Sequence, residues 1–229
     1  MLQHFSALRS QLDPRAQATL ERMADLGRQL LAARGYLRAG LALDQRWSWN
    51  QEQIAAWPGS PAQIALDAEI QKVRAAFERD NPGYSLLVNP QVRSIDLQLQ
   101  RWHETASVTQ ASSNMLQAIR TAINAPDFPA PGSPAAAASF RELIRDHAPN
   151  PVPTLAAPGL SAHGRMSAVD FQICQGSRDI AGPDSSVVES VWIAQGWRDR
   201  LQAAVHAAST RFKGPLAIPA EPWHYDYQP

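Results

Sequence analysis

Two short segments of this 229-residue chain carry side chains that together could bind a metal ion. The segment SAHGRMSAVD contributes His163 and Asp170. The segment EPWH, near the end of the sequence, contributes Glu221 and His224. Catalytic zinc typically has three protein ligands and one open position, and a carboxylate outside the ligand set can take the proton of a bound water. These residue types therefore predict a catalytic zinc site and a hydrolase.

The spacing of the candidate ligands indicates how they could meet. His163 and Asp170 lie seven positions apart, with Gly164 offering a turn and residues 168–173 alternating as a strand does. A loop that leads into a strand can fold His163 back beside Asp170. The third ligand, His224, comes from a distant segment, as metal sites formed by tertiary structure often require.

Glu221 is the candidate general base rather than a fourth ligand. It precedes Pro222, and a residue before proline is biased away from helical backbone geometry. Glu221 and His224 can therefore point in different directions and take different roles. A histidine on its own is more often structural than a ligand, and we interpret the remaining ones so: His4, His103, His147 and His206.

The two segments resemble the signature of the D-alanyl-D-alanine carboxypeptidase and dipeptidase family of zinc peptidases, which includes VanY-like enzymes. The family pattern is Ser-x-His-x-x-Gly-x-Ala-x-Asp, followed later by Glu-x-Trp-His. The matching residues are Ser161, His163, Ala168, Asp170, Glu221, Trp223 and His224. The chain departs from the pattern at Met166, where the family has glycine, and at Tyr225, where tryptophan is common.

A third, weaker match lies upstream, where the family often carries Tyr-Arg-Ser-x-x-x-Gln and this chain has VRSIDLQ. By analogy, Arg93 would bind a carboxylate or carbonyl of a substrate peptide, for which a planar bidentate donor is suited, or stabilise an oxyanion. The alternative is that Arg93 is a surface arginine at a helix start. The resemblance also implies substrate contacts for Gln98, Ser161 and Trp223, although Ser161 could instead brace a metal ligand.

The resemblance implies one zinc ion held by His163, Asp170 and His224, and hydrolysis of an amide bond in peptidoglycan stem peptides. A D-Ala-D-Ala carboxypeptidase is the expected activity. One alternative is a cell-wall endopeptidase, such as a phage endolysin or a delivered effector, that cuts between L-Ala and D-Glu or at a cross-link. The chain could also be a non-hydrolytic zinc-bearing module that binds the cell wall, or a scaffold in which the metal only stabilises the fold.

Composition narrows the classes of partner. Twenty-one basic and twenty-one acidic residues give a formal charge of zero, so no electrostatic signal favours nucleic acid or an anionic membrane. The single Cys174 excludes an internal disulfide and a thiolate-rich zinc site. No segment reaches the length of a membrane-spanning helix, and the first residues lack the apolar core of a secretory signal. For action in the periplasm or cell wall, we therefore expect a mature form, a phage-type protein or a delivered protein. The oligomeric state stays open.

Local patterns predict helices over much of the first half. Asp13 is a candidate N-cap before Pro14, and the apolar stripe that follows is expected to end at Gly35. A second helix is predicted from Ser60, and a long helical tract over residues 94–123. Another helix is predicted to begin near residue 185 and to be interrupted at Gly196, with apolar residues recurring after it at helical spacing.

These elements predict an α+β fold, with a small antiparallel sheet carrying the zinc site and helices packed on one side. Strands are expected at residues 168–173, and residues 217–218 and 223–227 are expected to close the sheet. Residues 1–80 are assigned to a helical N-terminal extension and residues 81–229 to the zinc peptidase domain. The Pro- and Ala-rich residues 125–159 are interpreted as an ordered insertion beside the active site rather than a free linker.

Overall fold

The computed structural model describes residues 1–89 and 91–229, and these residues form two compact units. Each unit is built from two segments of the chain. The helical unit comprises Met1–Ser48 and Arg93–Ser161, and the sheet unit comprises Trp49–Val92 and Ala162–Pro229. The fold class is α+β, as the sequence predicts.

The helices alternate between the two units along the chain. In order they are α1 (Leu2–Arg9), α2 (Pro14–Glu21), α3 (Leu26–Ala39), α4 (Leu43–Arg46), α5 (Gln51–Ala56), α6 (Pro61–Asp80), α7 (Ile95–Glu104), α8 (Ala106–Ile123), α9 (Pro134–Asp146) and α10 (Trp197–Ala208). Helices α5, α6 and α10 belong to the sheet unit, and the others belong to the helical unit.

The first helices of the helical unit confirm one sequence prediction and correct another. The Asp13 side chain accepts a hydrogen bond from the Arg15 backbone N–H and caps α2. The prediction that Gly35 ends a helix is wrong, because α3 continues through it to Ala39. A Cβ at position 35 would lie 2.9 Å from the Ala157 Cβ. The glycine therefore permits close packing of two chain segments instead of terminating the helix.

The predicted tract over residues 94–123 consists of two helices, because Thr105 between α7 and α8 has an extended backbone. Helix α3 packs against both α8 and α9 to form the core of this unit. The Pro- and Ala-rich segment contains α9, whose Phe140 and Ile144 are fully buried in that core. The segment is therefore ordered around α9.

The sheet unit contains the antiparallel strands β1 (Ser85–Val88), β2 (Ala168–Gln175), β3 (Arg178–Ala181), β4 (Phe212–Lys213) and β5 (His224–Tyr227). Strand β2 is central, and the order is β1-β2-β5-β4, with β3 paired to the far end of β2. Val169, Phe171 and Ile173 alternate along β2 and are buried. This alternation is the reason that the local sequence predicts the strand.

Helices α6 and α10 pack against each other, and α6 also packs along β1. Their buried side chains, among them Val73, Phe77, Leu201 and Val205, share one core with the apolar residues of β2. Full burial of each large apolar side chain is worth about 1.5–3 kcal/mol. This helix layer on the sheet agrees with the predicted architecture.

Two further local predictions need correction. Residues 217–218 lie in a turn region rather than a strand, and β5 instead pairs with the two-residue strand β4. The helix expected from residue 185 is a 3₁₀ turn, Ser185–Val187, followed by a π-helical stretch, Val188–Ile193. The apolar stripe after Gly196 does form a helix, α10.

The units of the structure are divided differently from the domains assigned by sequence. The assigned boundary after residue 80 separates α6 from β1, whereas the structure groups both in the sheet unit. Residues 93–161, assigned to the peptidase domain, group with the first helices. None of the helices in the described ranges has the length and apolar character needed to cross a membrane.

Candidate metal centre

Three side-chain atoms of the sheet unit converge as metal ligands would. His163 Nε2 lies 3.2 Å from His224 Nδ1 and 3.3 Å from Asp170 Oδ1. His224 Nδ1 lies 3.0 Å from the same Asp170 oxygen. All three side chains are largely buried. This group could hold a metal ion.

The distances between these atoms fit tetrahedral coordination. In a regular tetrahedron two ligands are separated by about 1.6 times the metal–ligand distance, so bonds of about 2.0–2.2 Å place them about 3.3–3.6 Å apart. The observed separations of 3.0–3.3 Å require only a slight opening of the group. Two imidazole nitrogens and one carboxylate oxygen also leave a fourth position for water or substrate.

A tight turn brings His163 toward the strand that carries Asp170. Residues Ala162–Arg165 form a 3₁₀ turn, and the Ser167 backbone N–H donates to the Ala162 carbonyl over 3.1 Å. Strand β2 then begins at Ala168. The turn reverses the chain, so the seven-residue spacing predicted from sequence places both ligands at one site.

Met166 gives this turn its unusual backbone. Its φ of 51° is the one positive φ among the non-glycine residues of the described ranges. A left-handed conformation costs a residue with a Cβ about 1–2 kcal/mol, and glycine, which the resembled pattern has at this position, avoids that cost. The Met166 side chain is buried in the core of the sheet unit, and that burial offsets the strain.

The sheet register joins the second segment to the first. Asp170 on β2 lies directly opposite His224 on β5. Directly opposed residues in an antiparallel pair have Cβ atoms about 4.5–5.5 Å apart, so the two side chains meet on one face. The Phe171 backbone N–H also donates to the Trp223 carbonyl over 3.0 Å, which holds the start of β5 against β2.

Glu221 lies beside the ligand group. Its Oε2 is 3.8 Å from His224 Nδ1, and its side chain is 14% exposed. The Glu221 N–H donates to the Leu216 carbonyl, and the His224 N–H donates to the Glu221 carbonyl, each over 3.0 Å. These bonds fix a turn around Pro222 that holds the carboxylate near the ligands. A proton acceptor is expected at this position in a metal-dependent hydrolase.

Hydrogen bonds within the site outweigh the effect of burial on its charges. Burial alone would raise the pKa of Asp170, but hydrogen bonds from His163 and His224 hold that pKa well below its usual range. At His224 burial also disfavours the charged form and so lowers the pKa, but hydrogen bonds to Asp170 and Asp226 raise it to about 9. A metal ion and a proton therefore compete for His224 Nδ1.

Three of the residues predicted to contact substrate, Arg93, Gln98 and Ser161, belong to the helical unit. Gln98 is buried, and its Nε2 donates to Ser48 Oγ over 3.0 Å and to the Arg93 carbonyl over 2.7 Å. Its Oε1 accepts from the Gly159 N–H over 2.8 Å. Both amide hydrogens are used, which favours a structural role; the predicted substrate contact stays a prediction.

Arg93 and Ser161 are the first and last residues of the second segment of the helical unit. Arg93 is half-buried and directly precedes Ser94, whose hydroxyl caps α7 by accepting from the Leu97 N–H. Ser161 is buried, and its carbonyl accepts from Ser48 Oγ. Their proposed contacts with substrate stay predictions.

Trp223 belongs to the core of the sheet unit. Its side chain is buried, and its ring centroid lies 5.7 Å from that of Trp192. This packing accounts for a tryptophan between Glu221 and His224, because it anchors the turn that carries both. The predicted contact of Trp223 with substrate stays a prediction.

Asp226 is a further residue near the site that the sequence motifs do not indicate. Asp226 Oδ1 lies 3.5 Å from His224 Nε2, the ring nitrogen that does not face the other ligands. The signal in the sequence is the two-residue spacing from His224 on a strand, which places both side chains on one face.

Comparisons of the chain with protein-family models, with curated proteins and with solved structures give no match.

Proposed function

We propose that this protein is a zinc-dependent peptidase that hydrolyses an amide bond in peptidoglycan stem peptides, as a D-Ala-D-Ala carboxypeptidase does. The supporting observation is the convergence of His163 Nε2, Asp170 Oδ1 and His224 Nδ1, with the Glu221 carboxylate 3.8 Å from one of them. The metal chemistry rests on this geometry. The substrate rests on the resemblance of the sequence motifs.

Zinc is the metal that suits this ligand set best. Two imidazoles and one carboxylate, with an open position, are a ligand set found in zinc hydrolases. Mg²⁺ and Ca²⁺ prefer sites made of oxygen ligands alone, and softer metals favour thiolates. The single cysteine, Cys174, is on β2 beyond Asp170 and is hydrogen-bonded to Asp179. The donor set therefore argues against Mg²⁺, Ca²⁺ and thiolate-bound metals. Fe(II) also binds two histidines and one carboxylate, and the Glu221 carboxylate beside the open position is what favours a zinc hydrolase.

The side chains of the site have different roles in hydrolysis. Zinc bound there would lower the pKa of a bound water and polarise the scissile carbonyl. The Glu221 carboxylate takes a proton from the attacking water and returns it to the leaving amine. His163, Asp170 and His224 stay in place throughout, since the sheet register and the 3₁₀ turn fix them.

Substrate recognition is assigned to Arg93 by resemblance. A guanidinium binds a carboxylate through two parallel hydrogen bonds, which suits the free end of a stem peptide. We propose that the reaction takes place in the periplasm or cell wall. The peptidase could instead cut inside the stem or at a cross-link, which changes the substrate and leaves the chemistry unchanged.

The deciding experiment is digestion of purified muropeptides with the zinc-loaded full chain, followed by mass analysis. Loss of a single alanine supports the carboxypeptidase. A released dipeptide or a split cross-link supports the endopeptidase alternative. Cleavage must stop when a chelator removes the metal and return when zinc is restored; cleavage that persists without metal contradicts the proposal.

The matched control is Glu221→Gln, which keeps the shape of the side chain and removes its basicity. We expect hydrolysis to fall by about 10²–10⁴-fold, while zinc content is unchanged. Wild-type rates in this variant would mean that another group is the base. If neither form cleaves any muropeptide although both bind zinc, a non-hydrolytic cell-wall module becomes the better explanation.

A further inference from the structure

The two nitrogens of the His224 ring face different partners. Nδ1 faces Asp170 Oδ1 at 3.0 Å and His163 Nε2 at 3.2 Å, on the side of the ligand group. Nε2 faces Asp226 Oδ1 at 3.5 Å. His224 is therefore held between two carboxylates, of which only Asp170 belongs to the candidate ligand set.

Metal binding imposes a choice of tautomer on this ring. A neutral imidazole carries one proton, on either nitrogen. A metal takes the lone pair of Nδ1 only when that proton is on Nε2. The Nε2–H group would then point toward Asp226, whose carboxylate can accept it. In known metal sites a hydrogen bond to the second nitrogen orients the ring and raises its basicity as a ligand.

The geometry points to a positioning role for Asp226: it accepts the Nε2–H of His224 and so selects the tautomer that presents Nδ1 to the metal. The inference rests on the metal site proposed above and adds a fifth acting side chain to it. Asp226 does not touch the metal or the substrate in this role.

The sheet fixes the backbone position of Asp226 for this contact. On β5 it is paired with Ala168 of β2 on one side and with Lys213 of β4 on the other. The backbone is therefore held from both sides, and the two-residue spacing keeps the carboxylate on the face of His224. The Asp226 side chain is 56% exposed, whereas that of His224 is 12% exposed. Water can thus reach the carboxylate, which moderates the interaction.

The test is zinc affinity of the full chain, measured by competition with a chromophoric chelator at one fixed pH. Asp226→Ala should weaken zinc binding by about 10–100-fold, the usual range for such outer partners. Asp226→Asn keeps an acceptor oxygen and should recover most of that loss. Asp67→Ala is the control, because Asp67 is an exposed carboxylate on α6 in the same unit and its removal changes the net charge equally.

A second readout follows the proton itself. Nitrogen-15 NMR of the zinc-loaded protein should show His224 protonated at Nε2, and Asp226→Ala should speed the exchange of that proton with solvent. Thermal melting of the metal-free variants should show that both aspartate substitutions leave the fold intact. A purely structural role for Asp226 would change the melting temperature and not the exchange rate.

The possible outcomes distinguish failure of the Asp226 role from failure of the proposed metal site. If the wild-type chain binds zinc and Asp226→Ala binds it equally well, the metal site stands and the role of Asp226 is wrong. Equal losses in Asp226→Ala and Asp67→Ala also overturn the role, because net charge would then explain both. If the wild-type chain binds no zinc, the metal site and this inference fail together.

Discussion

Buried histidines occur in both units of the molecule and lie in opposite surroundings. In the helical unit, His4 is buried between aromatic rings: it stacks on Phe140 at 5.4 Å and meets the edge of Phe128 at 5.5 Å. In the sheet unit, His163 and His224 each lie within 3.3 Å of a carboxylate oxygen.

The difference shows in the direction of the pKa shifts. Burial lowers the pKa of His4, so its ring stays neutral and serves as a packing element. Burial also disfavours charge on His224, yet the hydrogen bonds to Asp170 and Asp226 raise its pKa to about 9. Burial alone therefore does not distinguish a candidate metal ligand from a histidine that only packs in a core. The position of a ring nitrogen within about 3 Å of other possible ligand atoms, as at His224, does distinguish them.

The largest effect that tests this contrast is loss of the metal. His163→Ala removes one of three ligands, so we expect zinc content after dialysis to fall from one ion per chain to nearly none. His4→Ala should keep the zinc and instead destabilise the fold by about 1–3 kcal/mol, because it empties a buried space between two rings. Metal analysis and denaturant unfolding of both variants measure the two effects. Full zinc occupancy in His163→Ala would remove it from the ligand set.

An intermediate effect is expected from Gln98, the buried polar residue of the helical unit. Gln98→Ala removes the acceptor of the buried Gly159 N–H and one of two hydrogen-bond partners of Ser48 Oγ, which should cost about 1–3 kcal/mol of unfolding free energy. Zinc affinity should not change. Denaturant unfolding and a zinc titration of the variant measure these two quantities. If Gln98 instead binds substrate, hydrolysis would fall and the free energy of unfolding would stay unchanged.

A third effect concerns pH and has opposite signs at the two histidines. His224 has a folded pKa near 9, above its ordinary value of 6.5, so its contribution to stability is complete below pH 6.5 and is lost as pH rises through about 9. Burial lowers the pKa of His4, so the unfolded chain binds a proton more readily than the folded one at acid pH. His4 therefore reduces the free energy of unfolding as pH falls.

Chelator-treated protein should therefore lose the His224 contribution between pH 6.5 and about 9. Zinc-loaded protein should not, because zinc displaces the proton and binds more tightly as pH rises. Unfolding free energies at pH 6, 7.5 and 9, with and without zinc, give the comparison. Parallel curves for the two forms would contradict the placement of metal and proton on one nitrogen.

Local sequence patterns predicted the elements whose determinants are close together in the chain. The cap at Asp13 and the alternating strand from Ala168 needed only neighbouring residues. The candidate metal ligands are identifiable from sequence because a short motif carries their types and spacing, and the structure brings the three together. Thr105 was missed because its neighbours on both sides are good helix formers, and only its own extended backbone divides α7 from α8.

The features that sequence analysis did not find depend on distant contacts. Gly35 looks like a helix end and is instead a point of close packing against Ala157. The grouping of α6 with β2 follows from apolar contacts between segments far apart in the chain, which local periodicity does not encode. Residues 223–227 are predicted to form a strand, but the partner of His224 Nε2 depends on the orientation of the ring, which local sequence does not encode.

The left-handed turn at Met166 has a consequence for how such sites are recognised across genomes. At this position the turn has a positive φ, and this chain adopts it with methionine rather than glycine. A search that demands glycine by letter will pass over chains in which core packing holds the same angle. A search for two histidines and an aspartate around one positive φ, just before a strand, would retrieve them.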